Sequence, residues 1–193
     1  MEKKILQFAK VINGYTFRGA IKTAINKEIF VLQAKDIVQG QNISNADKLT
    51  PIAFKGTRTT SFLQKNDVVI VSRGTGAGSF RSAIFASDEN VIASSSLLIL
   101  RIKMKEVLPE YISLYLNSTE GQNKILETVV GSYIHAISRK KFEKEIEIPI
   151  PSLDKQKSLI NLNQNIQQQE LIHERKKFLK QQIINASLKK LTP

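Results

Sequence analysis

The chain has 193 residues, 41% hydrophobic and 24% charged, a balance that supports a buried core and excludes wholesale disorder. It holds no cysteine, which excludes disulfide frameworks and thiolate metal sites and fits a reducing cytoplasm. Its 29 lysines and arginines against 17 aspartates and glutamates give a net charge of +12. That excess suits a polyanionic partner, although solubility or ribosome association would produce the same balance.

The opening MEKKILQFAK lacks the apolar stretch and small-residue cleavage site of a secretory leader. No later run approaches the ~18 apolar residues of a membrane span, so a cytoplasmic protein without a membrane partner is expected. Strands are predicted at Ile29–Leu32, Val68–Val71, Ala83–Ala86 and Leu97–Ile102. Turn residues separate them: Asn13-Gly14, Gly40, Gly56, Asn66-Asp67 and Asp88-Glu89-Asn90. One helix is predicted from Pro109 to about Val130, with Tyr111, Leu114, Tyr115, Ile125 and Val129 on one apolar face and Gly131 as its stop. A last strand, Ile146–Ile150, alternates with Glu145 and Glu147 like a sheet edge, and Pro149 and Pro151 end its pairing.

A long helix follows. Ser152 suits its N-cap, Asp154 its first turn, and no glycine or proline interrupts the chain from there to about Lys190. About 37 helical residues would extend about 55 Å, beyond what one small domain covers. Leu159, Leu162 and Ile166, then Ile172, Leu179, Ile183 and Ala186, recur at spacings of three, four and seven, with a polar interval between Asn163 and Glu170. Leu159, Leu162, Ile166, Ile172, Leu179 and Ile183 are the candidate dimerisation residues of a coiled coil. The alternative is that the helix packs back on its own domain. The expected fold class is α+β: a mixed, β-rich domain over residues 1–151 followed by one long coiled-coil-forming helix over residues 152–193.

No enzymatic chemistry is legible. Gly74-Thr75-Gly76-Ala77-Gly78 follows an apolar run, but the sequence after it reads as strands and turns, and no Gly-Lys-Ser/Thr follows to make a nucleotide loop. His135 and His173 lie far apart without metal-ligand spacing. Neither an Asn-Pro-Pro-aromatic element nor a Gly-x-Ser-x-Gly elbow is present, and Glu174-x-Lys176 lacks the preceding Pro-Asp of many nucleases. No catalytic residue, metal or cofactor is expected.

The order of motifs is more informative than any one of them. KDIVQGQNI (35–43), FLQKNDVVIVSRGTGAG (62–78), VIASSSLLILR (91–101), LPEYISLYLNSTEGQNKI (108–125) and GSYIHAISRKKFEKEIEIPIPSLDKQKSLI (131–160) precede the long helix. This succession resembles the target-recognition domain and following helical region of type I restriction-modification specificity subunits. The last segment carries the most, with its Gly-Ser, short apolar step, basic turn, Ile-Pro-x-Pro and glutamine near the helix start.

The resemblance implies a non-catalytic subunit that recognises double-stranded DNA and delivers a methyltransferase subunit, and in a restricting complex a translocase-nuclease subunit, to its target. Full-length relatives would carry two such domains, with helices paired antiparallel. One of each here leaves two possibilities, a natural half-subunit that homodimerises or a fragment, and Met1 with the compact ending favours the first. Two copies paired along ~55 Å helices would set their domains about 16 base pairs apart, giving an inverted-repeat target. The rival expectations are a stand-alone dimeric DNA-binding regulator and a charged scaffold.

Within this frame the candidate DNA-binding residues form two groups. Arg58, Arg73 and Arg81 carry guanidinium forks suited to guanine edges, with Thr59 and Thr75 beside them. Ser132, Tyr133, His135, Arg139, Lys140 and Lys141 flank Gly131, with hydroxyls and an imidazole for bases and three cations for phosphates. The plain alternatives are that Gly74–Gly78 only make a tight turn beside an ion-paired Arg73, and that the basic run is a solvated face.

Overall fold

The chain opens with a short strand, β1 (Glu2–Lys4), a single helical turn, α1 (Ile5–Phe8), and β2 (Ala9–Asn13). Then come β3 (Phe30–Leu32), a 3-10 turn at Ala34–Asp36, β4 (Thr50–Pro51), β5 (Val68–Val71), β6 (Arg73–Gly74), β7 (Ser82–Ile84), β8 (Val91–Ala93) and β9 (Leu97–Ile102). Two helices follow, α2 (Pro109–Asn117) and α3 (Thr119–Glu127), then β10 (Val129–Val130), β11 (His135–Ile137), α4 (Arg139–Glu145), β12 (Glu147–Pro149) and the long α5 (Leu153–Leu191). These assignments come from a computed structural model that describes residues 1–25, 28–54, 60–76, 78–131 and 135–191. The architecture is α+β, with two compact units, Met1–Leu153 and Asp154–Pro193.

The main sheet of the first unit is four-stranded and antiparallel, in the order β2-β9-β5-β7. Val68, Val69, Ile70 and Val71 are all buried, so β5 has no solvent face, which explains its unbroken run of β-branched residues. Val69 and Val71 join Leu97, Ile99, Ala83 and Phe85 in the principal core, and α2 packs against β5 and β7. Burying each such side chain stabilises by roughly 1.5–3 kcal/mol. A second sheet, β4-β3-β8, pairs β3 with β8 in parallel. It carries a smaller cluster of Val31, Ile52 and Ile92 on which Tyr15, Phe17, Phe54 and Phe62 pack edge to face.

The strands expected at Ile29–Leu32, Val68–Val71, Leu97–Ile102 and Ile146–Ile150 are present, trimmed by a residue where they were drawn too long, and the one expected at Ala83–Ala86 runs from Ser82 to Ile84. Three local expectations are corrected. The helix drawn from Pro109 to about Val130 is two helices: Ser118 adopts an extended backbone, and its hydroxyl accepts the Gly121 N–H as the cap of α3. Gly121 must be glycine, because a Cβ would fall 2.0 Å from the Tyr115 carbonyl oxygen. Asn13-Gly14 is not a turn: Asn13 ends β2, and Gly14 presses against the Ser94 carbonyl with no room for a Cβ. The basic turn at Arg139–Lys141 is instead the first turn of α4, anchored by the fully buried Phe142.

Side-chain ties close the unit. Asp67, 2% exposed, accepts from Arg101 Nε at 2.9 Å and Nη2 at 2.7 Å, and from the Gln64 N–H at 2.8 Å. The turn before it places Asn66 at φ 71°, a conformation asparagine tolerates. The Tyr111 hydroxyl donates to the Pro149 carbonyl at 2.6 Å. Lys124 donates to the Glu147 carbonyl at 2.8 Å and lies 3.5 Å from Glu2, joining α3 to the β1–β12 ribbon. Burial pulls its ammonium pKa down, but Tyr115 and Glu2 outweigh that and hold it above the usual lysine value.

Candidate nucleic-acid interface

Two stretches far apart in the chain meet in one small antiparallel sheet, β10-β11-β6. Ala136 lies opposite Arg73 and His135 opposite Gly74, while β10 pairs with the other edge of β11. The Ile137 N–H donates to the Ser72 carbonyl at 2.9 Å and the Ser138 N–H to the Thr128 carbonyl at 3.0 Å, which ties the C-terminal end of β11 to both neighbouring chains. Opposed residues share a face, so Arg73 projects with Ala136, and His135 lies over Gly74 on the side of the buried Ile137. Arg73 is exposed, whereas His135 is half-buried and its Nδ1 has no hydrogen-bond partner among the described residues.

The glycine-containing segment is shaped from within and held from behind. Ser79 Oγ accepts from the Thr75 N–H at 3.3 Å, and the Ser79 N–H donates to the Gly76 carbonyl at 3.2 Å. A Cβ on Gly74 would strike the Ser79 side chain at 2.2 Å, and Gly78 has φ +79°. Behind it, Gln122 of α3 accepts the Gly78 N–H at 3.2 Å and donates to the carbonyls of Phe80 at 3.0 Å and Leu116 at 2.7 Å. Asn117 at the end of α2 makes a paired contact with Ser82, accepting its N–H at 2.8 Å and donating to its carbonyl at 2.9 Å. Sequence reasoning missed both amides; side-chain amides in polar helix positions carry no local signal of long-range partners.

The remaining candidates divide. Lys140 and Lys141 are exposed on α4, and Arg139 lies 3.6 Å from Glu143 across one helical turn. Arg81 departs from the expectation of a free guanidinium fork: Nε donates to the Ile37 carbonyl at 3.1 Å and Nη2 to the Ala34 carbonyl at 3.3 Å, so it braces the 34–37 turn. Thr75 is exposed in the segment after β6. Arg58, Thr59, Ser132 and Tyr133 lie outside the described residues. Among the described residues no group of histidine, aspartate and glutamate is placed to hold a metal, and no helix is long and apolar enough to cross a membrane.

The second unit is the 39-residue helix α5, about 58 Å long at 1.5 Å per residue. The six apolar residues singled out on it are exposed, from Leu159 at 38% to Ile183 at 67%. At about 100° per residue, Leu159, Leu162 and Ile166 share one arc, and Ile172, Leu179 and Ile183 share a second, rotated from the first by about 110°. These six residues thus form two patches offset across the polar interval, and the exposed Ile184 and Leu188 return to the arc of the first.

An α+β unit whose small sheet pairs the strand of Arg73 with the strand of His135, followed by a long helix with exposed apolar residues, is the fold of a family of DNA specificity domains. Residues 1–186 match the model described as type I restriction modification DNA specificity domain, and the chain belongs to that family. No curated protein matches the sequence. Among solved structures, the fold is similar to the S subunit of a type I restriction-modification system from M. genitalium, at 14% identity and TM-score 0.55, covering 84% of this chain and 37% of that one. It is similar also to the HsdS subunit from Thermoanaerobacter tengcongensis, at 18% identity and TM-score 0.62, covering 91% of this chain and 39% of that one. A third likeness is to a chain described under complex assembly and conformational transition of the type I R-M system, at 17% identity and TM-score 0.65, covering 91% and 40%. This chain therefore spans about two fifths of the length of the solved chains it matches.

Proposed function

We propose that this chain is a non-catalytic, cytoplasmic DNA-recognition subunit: residues 1–151 recognise a duplex sequence, and residues 152–193 dimerise. In this reading it brings a methyltransferase subunit, and in a restricting system a restriction subunit, to a two-part target, and it needs no cofactor of its own. The observation that carries it is the pairing of β6 with β11, which brings Arg73 and the glycine segment beside His135 and the start of α4. Family membership supports DNA as the partner.

The division of labour follows from chemistry. Arg73 offers donors of the kind that distinguish base edges, Thr75 a hydroxyl, and Lys140 and Lys141 point charges suited to phosphates, while the half-buried His135 enters the proposal from the other face of the ribbon. Arg58, Thr59, Ser132 and Tyr133 belong to the same proposal through the resemblance, and Arg81 enters it as a brace for the 34–37 turn. For the helix, the resemblance favours an antiparallel pair, in which the Leu159–Ile166 end of one copy meets the Ile172–Ile183 end of the other.

The test has two arms. Enrichment of random duplexes on the purified chain should converge on one inverted-repeat motif, and Arg73→Ala should weaken that convergence while sparing bulk DNA binding. Light scattering should give a mass near twice 21.7 kDa, falling to a monomer after truncation at Pro151. Binding without any sequence preference would reject recognition, and a micromolar monomer would reject the homodimer.

A further inference from the structure

We infer that Gln122, a residue that touches no proposed DNA contact by side chain, sets sequence discrimination by fixing Gly78 and Phe80, and so Ser79 between them, whose hydroxyl and N–H hold Thr75 and Gly76 beside Arg73. This rests on the recognition proposed above. Glycines at 74, 76 and 78 give the chain here wide backbone freedom in isolation, β6 contributes only two residues of ladder to β11, and the contacts to Thr75 and Gly76 come from Ser79, which lies between the two residues that Gln122 holds. Gln122 answers that freedom from the opposite side. It is 8% exposed, and its carboxamide is engaged at both ends: Oε1 receives the Gly78 N–H at 3.2 Å, while Nε2 gives one proton to the Phe80 carbonyl at 3.0 Å and one to the Leu116 carbonyl at 2.7 Å.

The geometry makes α3 an anchor for Gly78 and Phe80. Ser118 caps α3, and Gly121, the neighbour of Gln122, lets this turn approach the end of α2 so closely that a Cβ would lie 2.0 Å from the Tyr115 carbonyl oxygen. Asn117 holds Ser82 from the same helical hairpin. The hairpin thereby grips the chain at Gly78, Phe80 and Ser82, while the ribbon with β11 pins Arg73 and Gly74, and Ser79 links Thr75 and Gly76 to the gripped part. A side chain can discriminate bases only if its backbone is already placed; a loose loop exchanges discrimination for indiscriminate phosphate contact. Gln122 is therefore a positioning residue, acting through the backbone of its neighbours.

The experiment compares the full chain with Gln122→Met, which keeps the volume and loses all three hydrogen bonds, and Gln122→Glu, which keeps an acceptor for Gly78 and loses both donors. Amide hydrogen exchange is followed in peptides covering 73–80 and, as the control, 68–71 and 97–102. The same proteins bind the motif enriched by the parent chain and a scrambled duplex. Gln122→Met should raise exchange in 73–80 by about tenfold or more, leave the control strands protected, and lower the ratio of motif to scrambled affinity about tenfold with scrambled binding unchanged. Gln122→Glu should recover part of the protection at Gly78. Unchanged exchange in 73–80, or raised exchange with undiminished discrimination, overturns the inference. Should Gln122→Met lose protection in the control strands, Gln122→Glu alone decides by the same criteria. A parent chain that enriches no motif overturns the recognition proposal instead, and hydrogen exchange then still shows whether Gln122 holds the loop.

Discussion

Lys140 and Lys141 offer the most direct quantitative test of where the duplex lies. Both are exposed in the first turn of α4, and no acidic residue accompanies them there. Cations at a helix N-terminus oppose the helix dipole, at a cost of roughly 0.3–1 kcal/mol each. Replacing both by alanine should therefore leave the fold unchanged or slightly more stable. Each phosphate contact contributes about 0.9 to the slope of log affinity against log salt, so losing two lowers the slope by about 1.8. Over a fourfold rise from ~50 to ~200 mM salt, the parent should lose about twelvefold more affinity than the variant. Arg139 already lies beside Glu143, and Arg139→Ala should change the slope by less than one full contact. Fluorescence anisotropy with a labelled duplex of arbitrary sequence measures these slopes, and thermal melting measures the fold. Equal slopes for the parent and the K140A/K141A variant would place the duplex elsewhere. A drop in stability alongside weaker binding would make the lysines structural.

Other consequences concern the frame that carries the interface. Asp67→Ala strands the Arg101 guanidinium and one backbone N–H, and should cost about 3 kcal/mol in urea unfolding, discounted from a fully buried pair because Arg101 is a quarter exposed; a loss below about 1 kcal/mol would show the pair to be dispensable. Tyr111→Phe removes a 2.6 Å bond to Pro149 and should cost about 1–2 kcal/mol. Burial, with Tyr115 second, raises the Tyr111 pKa, so its contribution is complete below about pH 10 and lost as pH rises through the folded value. Urea melts above pH 10 should accordingly weaken the parent more than Tyr111→Phe, and parallel alkaline limbs would contradict that assignment. Gly14→Ala would set a methyl 1.9 Å from the Ser94 carbonyl oxygen and should destabilise by about 2 kcal/mol or more, measured by the same unfolding; a neutral result would mean that the two backbones part easily.

What was legible in the chain followed from local periodicity. The β-branched run Val68–Val71, the apolar stretch Leu97–Ile102 and the glycine-free helix from Leu153 all announce themselves, because their burial or helicity is written in adjacent residues. Ser118 escaped notice because the apolar face continues across it; the break comes from a hydroxyl capping the next turn, which looks like any helical serine until the backbone is seen. Asn13-Gly14 failed for the opposite reason. Its glycine answers to a carbonyl of Ser94, and no local rule for turns can anticipate a neighbour so distant in the chain.

The candidate site shows the same division more sharply. Arg73 and His135 were both singled out from residue type and motif order, yet nothing in the sequence pairs β6 with β11 or turns Arg81 onto the carbonyls of Ala34 and Ile37. The individual groups are local features, and their juxtaposition is a property of the whole sheet. That separation has a physical use in a recognition module. Strands β5 and β9 hold the core whatever the exposed side chains are, because their stability comes from buried valine, leucine and isoleucine. The segment after β6 depends on two ladder pairs and on amides presented from α2 and α3. Side chains at Arg73 and Thr75 can therefore change without disturbing the core, provided that glycine remains at 74 and Gln122 and Asn117 keep their grip. Variation confined to these exposed positions should alter the preferred sequence at nearly constant stability, whereas variation at Gln122 or Asn117 should degrade discrimination for every sequence alike.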